Sequence, residues 1–423
     1  MSPRAQSDQD NGAPRYPRRH GSDVERARKV AALLLRSLPG GTAPTVTEAD
    51  WRLYGEGLLV GDPVADTLVA WMHEVGMRQA WPLVNRGIDA GLSAVPEAPE
   101  PLRAFLQTVE TRPAWVDADR LLQGARVCNL GGLAAMRGLL VTGLMAGYQL
   151  AAINQTLLAT GALDKGAARR VAETTTWWVH VTTPGSMEPL GEGFRSTVRV
   201  RLIHALVRRE VGRRPSWDVD DLGVPVSQTD MQITYLGFSV IYLLSMRLVG
   251  VWVPARERED VMHLWRYIAW LMGVQEPFLH ELVQGEQSAL QHFYKNMVHQ
   301  RMWDADSARL AQALADEALH RRYDSFAALQ GWYNRALQLS FARLCMSPES
   351  LQALGLEVPA FAWYPLLVAP VNVALHGVAR LVPGGRDWLV RRGQRQQRGY
   401  LGTLFGREAP GVRPVQNVVA FGV

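Results

Sequence analysis

Cysteine is scarce: Cys128 and Cys345 are the only two in 423 residues, too few for a disulfide framework or a structural zinc site. Nothing in their use requires an oxidising compartment. Alternating apolar and polar runs long enough for a real sheet are missing too, so an all-α chain is the expectation. No internal repeat is evident. Nor is there an uninterrupted membrane span. The most apolar stretch, 130–161, sets Gly143 and Gly147 at the spacing of packed membrane helices, yet Arg137, Gln149, Asn154 and Gln155 interrupt it. It reads as a buried central helix, close-packed through its glycines, or as a wall of an apolar pocket. A net charge of only +5, with arginines gathered at both ends, argues against a nucleic-acid binder.

What is present fits an ordered globular protein: 48% of residues are apolar, 20% are charged, and fourteen are tryptophan. Residues 1–22 are polar and rich in Arg, Pro, Asp and Gly, which predicts a disordered tail. Arg18 and Arg19 resemble the start of a twin-arginine export signal, but charged residues follow where an apolar stretch should begin. The expectation is a cytoplasmic protein with one large helical domain over 23–350. Residues 351–423 then form an arm that packs on the body or on a partner subunit.

The chain is organised around Phe194–Gly212, which follows a Pro/Gly-rich break and reads as a helix of about five turns. Arg201 and Arg208 fall within roughly 60° of His204 on one face, one turn to either side. Two neighbouring cations favour a neutral imidazole, the form that coordinates metal, and they need anions themselves. A haem group meets both needs, since its iron takes the imidazole and its propionates take arginines. A solvated surface helix with an incidental histidine is the plain alternative. The preceding segment, Asp164 to Val181, reads as a second helix with Asp164 as cap. Arg170, Glu173, Thr174 and Trp177 share one face of it. An antiparallel hairpin about the intervening break brings Glu173 level with His204.

Elsewhere the signals are weaker. Trp217–Pro254 holds a nearly all-apolar helix, capped by Ser227 or Thr229, that reads as core. Met145, Tyr148, Leu150, Trp177, Trp178, Phe238 and Tyr242 are candidates to line a pocket, against ordinary core packing. His292 and His299, seven apart on one helix, are candidates to bind a metal, against the plainer expectation that they face solvent. Glu317 and His320 make a single Glu-x-x-His motif, where a di-iron oxygenase needs two. Near the end, 361–383 is apolar but broken by prolines, and a basic run follows. It could anchor peripherally on anionic lipid, or simply pack on the body.

The blocks RLIHALVR from Arg201, GVPVSQTDMQITYLGFSVIYLL from Gly223 and LWRYIAWLMGV from Leu264, with GDPVADTLV from Gly61, resemble the MpaB-like oxygenases, which include the latex-clearing rubber oxygenases. This resemblance implies a mainly helical, globin-like core holding haem b, with His204 as axial ligand and Arg201 and Arg208 as its flanking arginines. It also implies a distal trio, which Arg170 and Thr174 match and in which Glu173 replaces a lysine. An acidic base is expected in the earlier central helix, where this chain offers only Gln149, Asn154 and Gln155. The implied activity is a haem-dependent oxygenase or peroxygenase that uses dioxygen or peroxide on a small hydrophobic metabolite. Polyisoprene cleavage, a non-catalytic haem or lipid binder, and a di-iron oxygenase are the alternatives.

Overall fold

Helix starts follow the capping residues. Thr47 and Asp50 form a reciprocal capping box ahead of Glu48–Gly57. Asp62 caps Pro63–Val75 (α1) by accepting from the Ala65 amide, with proline in the first turn. Ser227, not Thr229, caps the long apolar helix Gln228–Leu248, and the Thr229 hydroxyl instead donates to the Tyr54 carbonyl at 2.8 Å. The computed structural model describes residues 16–35, 41–161, 167–283 and 285–405. Among these the protein is all-α, with twenty α-helices, and the sole strand-like contact is an isolated bridge between Leu150 and Met302.

The central apolar stretch is not one helix. Ala118–Leu130 (α2) and the segment from Gly132 meet at 91°, a corner that Gly132 turns with φ of +51°. Beyond it the backbone passes from Gly132–Leu139 (α3) through a π-helical segment, Leu140–Met145, and a 3-10 turn, Ala146–Gln149, before Ala151–Ala159 (α4). Within the π segment the Thr142 hydroxyl donates to Gly138 O at 2.9 Å and lies 2.7 Å from Ser245 Oγ. Insertions of this kind gather at functional sites.

Four further helices frame the centre: Ala167–Thr182 (α5), Glu192–Gly212 (α6), Gln228–Leu248 (α7) and Ala255–Leu271 (α8). Residue 164, expected to cap α5, lies outside the described residues. Helix α7 is long and apolar enough to cross a membrane, but 67% of that window is buried inside the protein, as suits a core helix. It packs on α3, α8 and the π segment.

Both ends of the described chain pack on the body. Residues 1–15 lie outside the described region, but Tyr16–Ser22 is structured, because Arg19 is buried and grips Asp230 at 2.9 and 2.6 Å. The Arg18 and Arg19 amides bond to the carbonyls of Asp220 and Asp221. At the far end Ala327–Cys345 (α9), Trp363–Leu381 (α10) and Gly385–Phe405 (α11) follow. Helix α11 lies on α2, α3 and α5, so the described part of the arm is built into the body.

Candidate functional site

Helix α6 divides sharply by face. Arg201, Leu202, Ala205, Leu206 and Arg208 are buried, whereas Val200, Ile203, His204 and Val207, at i, i+3, i+4 and i+7, are only partly covered. A single imidazole thus sits in an apolar stripe. Its Nδ1 is buried and finds no hydrogen-bond partner. Burial, and secondarily the Arg208 charge, pushes the His204 pKa down to about 4, against an opposing pull from Asp62. The ring is therefore neutral at physiological pH.

A buried ring nitrogen without a hydrogen-bond partner does not by itself single out His204, since His20 has two and His73, His299 and His376 have one each. The apolar stripe does. His180, which faces α6 from α5, has both nitrogens engaged, with Ser196 Oγ at 3.3 Å and Glu192 Oε1 at 3.2 Å.

The two arginines find their anions inside the chain. Arg201 bonds Asp62 through Nε at 2.6 Å and Nη2 at 2.9 Å, with both side chains buried. Arg208 pairs with Asp66 one turn further along α1 and donates to Val226 O at 3.1 Å. Glycines make room for this. A Cβ on Gly273, where φ is +87°, would lie 2.2 Å from Asp62 Oδ2 and 2.8 Å from Arg201 Nε. One on Gly61 would come within 2.7 Å of the Arg208 side chain. These carboxylates escaped the sequence reading, although two aspartates four apart opening α1 are the natural counterpart of two arginines seven apart on α6.

Helices α5 and α6 form the expected hairpin, with Trp177 Nε1 donating to Thr197 Oγ1 at 3.2 Å. Continuing that register sets Glu173 level with the Arg201–His204 turn. Arg170, Glu173 and Thr174 are all partly exposed. Glu173 pairs along its own helix with Arg169 at 2.9 Å, not with Arg170 or Thr174. The Arg170 guanidinium lies against the Tyr148 hydroxyl, where it opposes the rise in the phenol's pKa that burial causes.

Of the seven candidate lining residues, Phe238 alone stays partly exposed; Met145, Tyr148, Leu150, Trp177, Trp178 and Tyr242 are buried core. Trp177, Trp178, Phe238, Tyr242 and Trp265 stack in one cluster, with Phe238 and Trp265 parallel at 5.5 Å. Beside it the helices carry bare backbone. A Cβ on Gly147 or Gly237 would meet no atom within 4 Å, whereas one on Gly143 would press on Leu139 Cδ1 at 3.1 Å and lie 3.9 Å from Gly237 O. Gly147 and Gly237 leave width that larger side chains would fill.

The other candidate metal residues are committed elsewhere. Both Glu317 carboxylate oxygens accept from Arg321, at 2.6 to 3.0 Å. His299, expected in solvent, is buried with Nδ1 2.6 Å from Lys295 O, and His292 Nδ1 lies 3.1 Å from the Tyr54 hydroxyl. Among the described residues no group of three or more His, Cys, Asp or Glu side chains is placed to hold a metal ion.

The site so defined is an all-helical one, in which a neutral histidine on an apolar face supplies the single candidate ligand. Residues 131–382 match the family described as ER-bound oxygenase mpaB/B'/Rubber oxygenase, catalytic domain. That match takes in more than half of the chain, and the protein belongs to this oxygenase family. It is 25% identical over 337 residues to the rubber oxygenase of Streptomyces sp. (strain K30), covering 73% of this chain and 75% of that protein. A solved structure of latex clearing protein LCP in the closed state shares the fold with a TM-score of 0.55 at 21% identity, covering 81% of this chain and 90% of that one.

Proposed function

We propose that this protein is a haem b-dependent oxygenase or peroxygenase acting on a small hydrophobic molecule, with His204 as the axial ligand. The observation that carries the reading is His204 itself, neutral and with one ring nitrogen unpartnered, on the one partly uncovered apolar face of α6. Bound haem would supply redox-active iron able to activate dioxygen or peroxide.

The chain's own residues divide the remaining work. His204 needs to lose no proton before binding a metal, because burial has already neutralised it. Arg201 and Arg208 act as positioning residues: their pairs with Asp62 and Asp66 anchor α6 on α1 and fix the pitch of the histidine face. That places them beside the ligand as charges, in place of the propionate clamp expected from sequence. Val200, Ile203 and Val207 make this face apolar, and Gly147 and Gly237 leave width for a flat group and an apolar substrate. On α5, Arg170 and Thr174 can donate hydrogen bonds, and Glu173 can hold or pass a proton at its carboxylate.

Rubber, to which the relative's name points, fits less well as the substrate. Asn154, in the region where the resemblance calls for an acidic base, is buried and donates to Tyr148 O at 2.8 Å and Ser307 Oγ at 3.1 Å. These bonds give it a structural role.

The test is the absorbance spectrum of the purified protein with a pyridine haemochrome assay. The reading requires a Soret band, close to one haem b per chain, and its loss in His204→Ala with helicity retained by circular dichroism. His180→Ala should keep the haem. Retention of an unchanged spectrum in His204→Ala would move the ligand elsewhere, and absence of haem after supplementation would sink the reading.

A further inference from the structure

We propose that the outward face of α10, together with an arginine stripe on α11, docks the protein on an anionic lipid surface. Residues 361–379 contain no charged side chain, and the two polar ones that could break a hydrophobic face, Asn372 and His376, are turned inward and buried. Outward, Leu366, Leu367, Val371, Val373, Val378 and Leu381 are between 59% and 86% exposed. Single exposed aliphatic residues need no explanation, but a row of them along one helix does. The helix is held in this pose, since Asn372 Nδ2 donates to Val249 O at 2.8 Å on the body side.

The surroundings identify the occupant. Trp252, 66% exposed, stands at the border of the ridge, where its carbonyl accepts from Arg380, and Tyr333 on α9 joins it through Trp363, ring to ring at 5.9 Å. Tryptophan and tyrosine with one wet end suit the headgroup level of a bilayer. Past the turn after α10, Arg391, Arg395 and Arg398 fall at i, i+4 and i+7 on the exposed side of α11, and no ion pair among the described residues involves them. From 361 to 405 the chain carries six arginines and one acid, Asp387, which pairs with Arg126. An apolar ridge beside unpaired charge of one sign complements anionic headgroups over acyl chains. A second copy docked on the same face in a two-fold arrangement would bring stripes of like charge toward each other.

The experiment is flotation of the full chain with vesicles of phosphatidylcholine containing phosphatidylglycerol, against phosphatidylcholine alone, at low salt. The protein should float with the anionic vesicles. Val371→Glu and Val378→Glu, both at exposed positions, should each abolish this while leaving the circular dichroism spectrum unchanged. Replacing Arg391, Arg395 and Arg398 together by Gln should lower the partition coefficient roughly a hundredfold, as should added salt. Failure to float with either vesicle overturns the proposal, as does binding that is indifferent to lipid charge and to the triple variant. A dimer seen by light scattering that Val371→Glu splits, without vesicle binding, assigns the face to a second copy instead.

Discussion

Arg201 and Asp62 form a two-point ion pair sealed from water, and it ties the helix that carries His204 to the start of α1. Truncating one partner of such a pair strands the other charge in the interior, at a cost of about 3 to 5 kcal/mol. Asp62→Ala should therefore lower the unfolding free energy by about that amount in urea titrations, with the lost helix cap adding to it. The double variant Arg201→Met/Asp62→Leu should recover much of the loss, because it strands no charge. A single variant within about 1 kcal/mol of wild type would show that the pair is not structural.

This pair also marks where the sequence stops being legible. Helical spacing was enough to put Arg201, His204 and Arg208 together and to see that two guanidiniums need anions. It could not say that the anions come from residues 62 and 66, because a contact between segments about 140 positions apart leaves no local trace. The same holds for Arg19 and Asp230, which convert a polar stretch that looks disordered into a buried strap. The break in the central apolar stretch was hidden for another reason. Its composition suits α, π and 3-10 turns alike, so only packing against α7 decides among them. All-helical architecture, the α5–α6 hairpin and the family were readable because they rest on local periodicity and contiguous blocks.

Gly237 lies in the middle of α7, where glycine normally costs helix stability, yet a Cβ there would meet nothing within 4 Å. Gly237→Ala should stabilise the haem-free protein by roughly 0.5 to 1 kcal/mol in thermal melts. Gly237→Phe should leave a folded protein with reduced haem content or reduced affinity for an apolar ligand, read from the Soret band and from ligand-induced spectral shifts. Full haem loading and unaltered ligand response in the Phe variant would remove Gly237 from the site.

The strap at Tyr16–Ser22 should be sensitive to acid. His20 is packed between Trp51 and His299, at ring distances of 4.2 and 5.1 Å. Its pKa falls to about 4 through burial first, then repulsion from His299 and Arg19, with a backbone contact at Trp51 opposing. His299 is lowered as well, chiefly by burial, with the hydrogen bond to the Lys295 carbonyl and the Asp50 charge opposing the shift and the Lys295 ammonium adding slightly to it. A folded pKa below the unfolded value of 6.5 means that the unfolded chain takes up more protons in between. His20 thus contributes stability that is complete above about pH 6.5 and is lost as the pH falls toward about 4, by less than about 1.4 kcal/mol per pH unit because the ring is not wholly shielded. His20→Phe should flatten the fall in melting temperature over that window relative to wild type. Parallel curves for the two proteins would count against it.

Glu173 allows its structural and chemical roles to be separated. Its bond to Arg169 joins neighbours one turn apart at the protein surface, a pairing worth at most about 0.5 kcal/mol. Glu173→Ala should therefore leave the melting temperature and haem content almost unchanged. If its carboxylate moves a proton during oxidation, the same variant should lose on the order of a hundredfold or more in kcat with any accepted substrate. Arg169→Ala is the control, because it breaks the same pair but keeps the carboxylate. Should Arg169→Ala and Glu173→Ala slow turnover equally, the contribution comes from the ion pair. Should only Glu173→Ala slow it, the contribution comes from the acid.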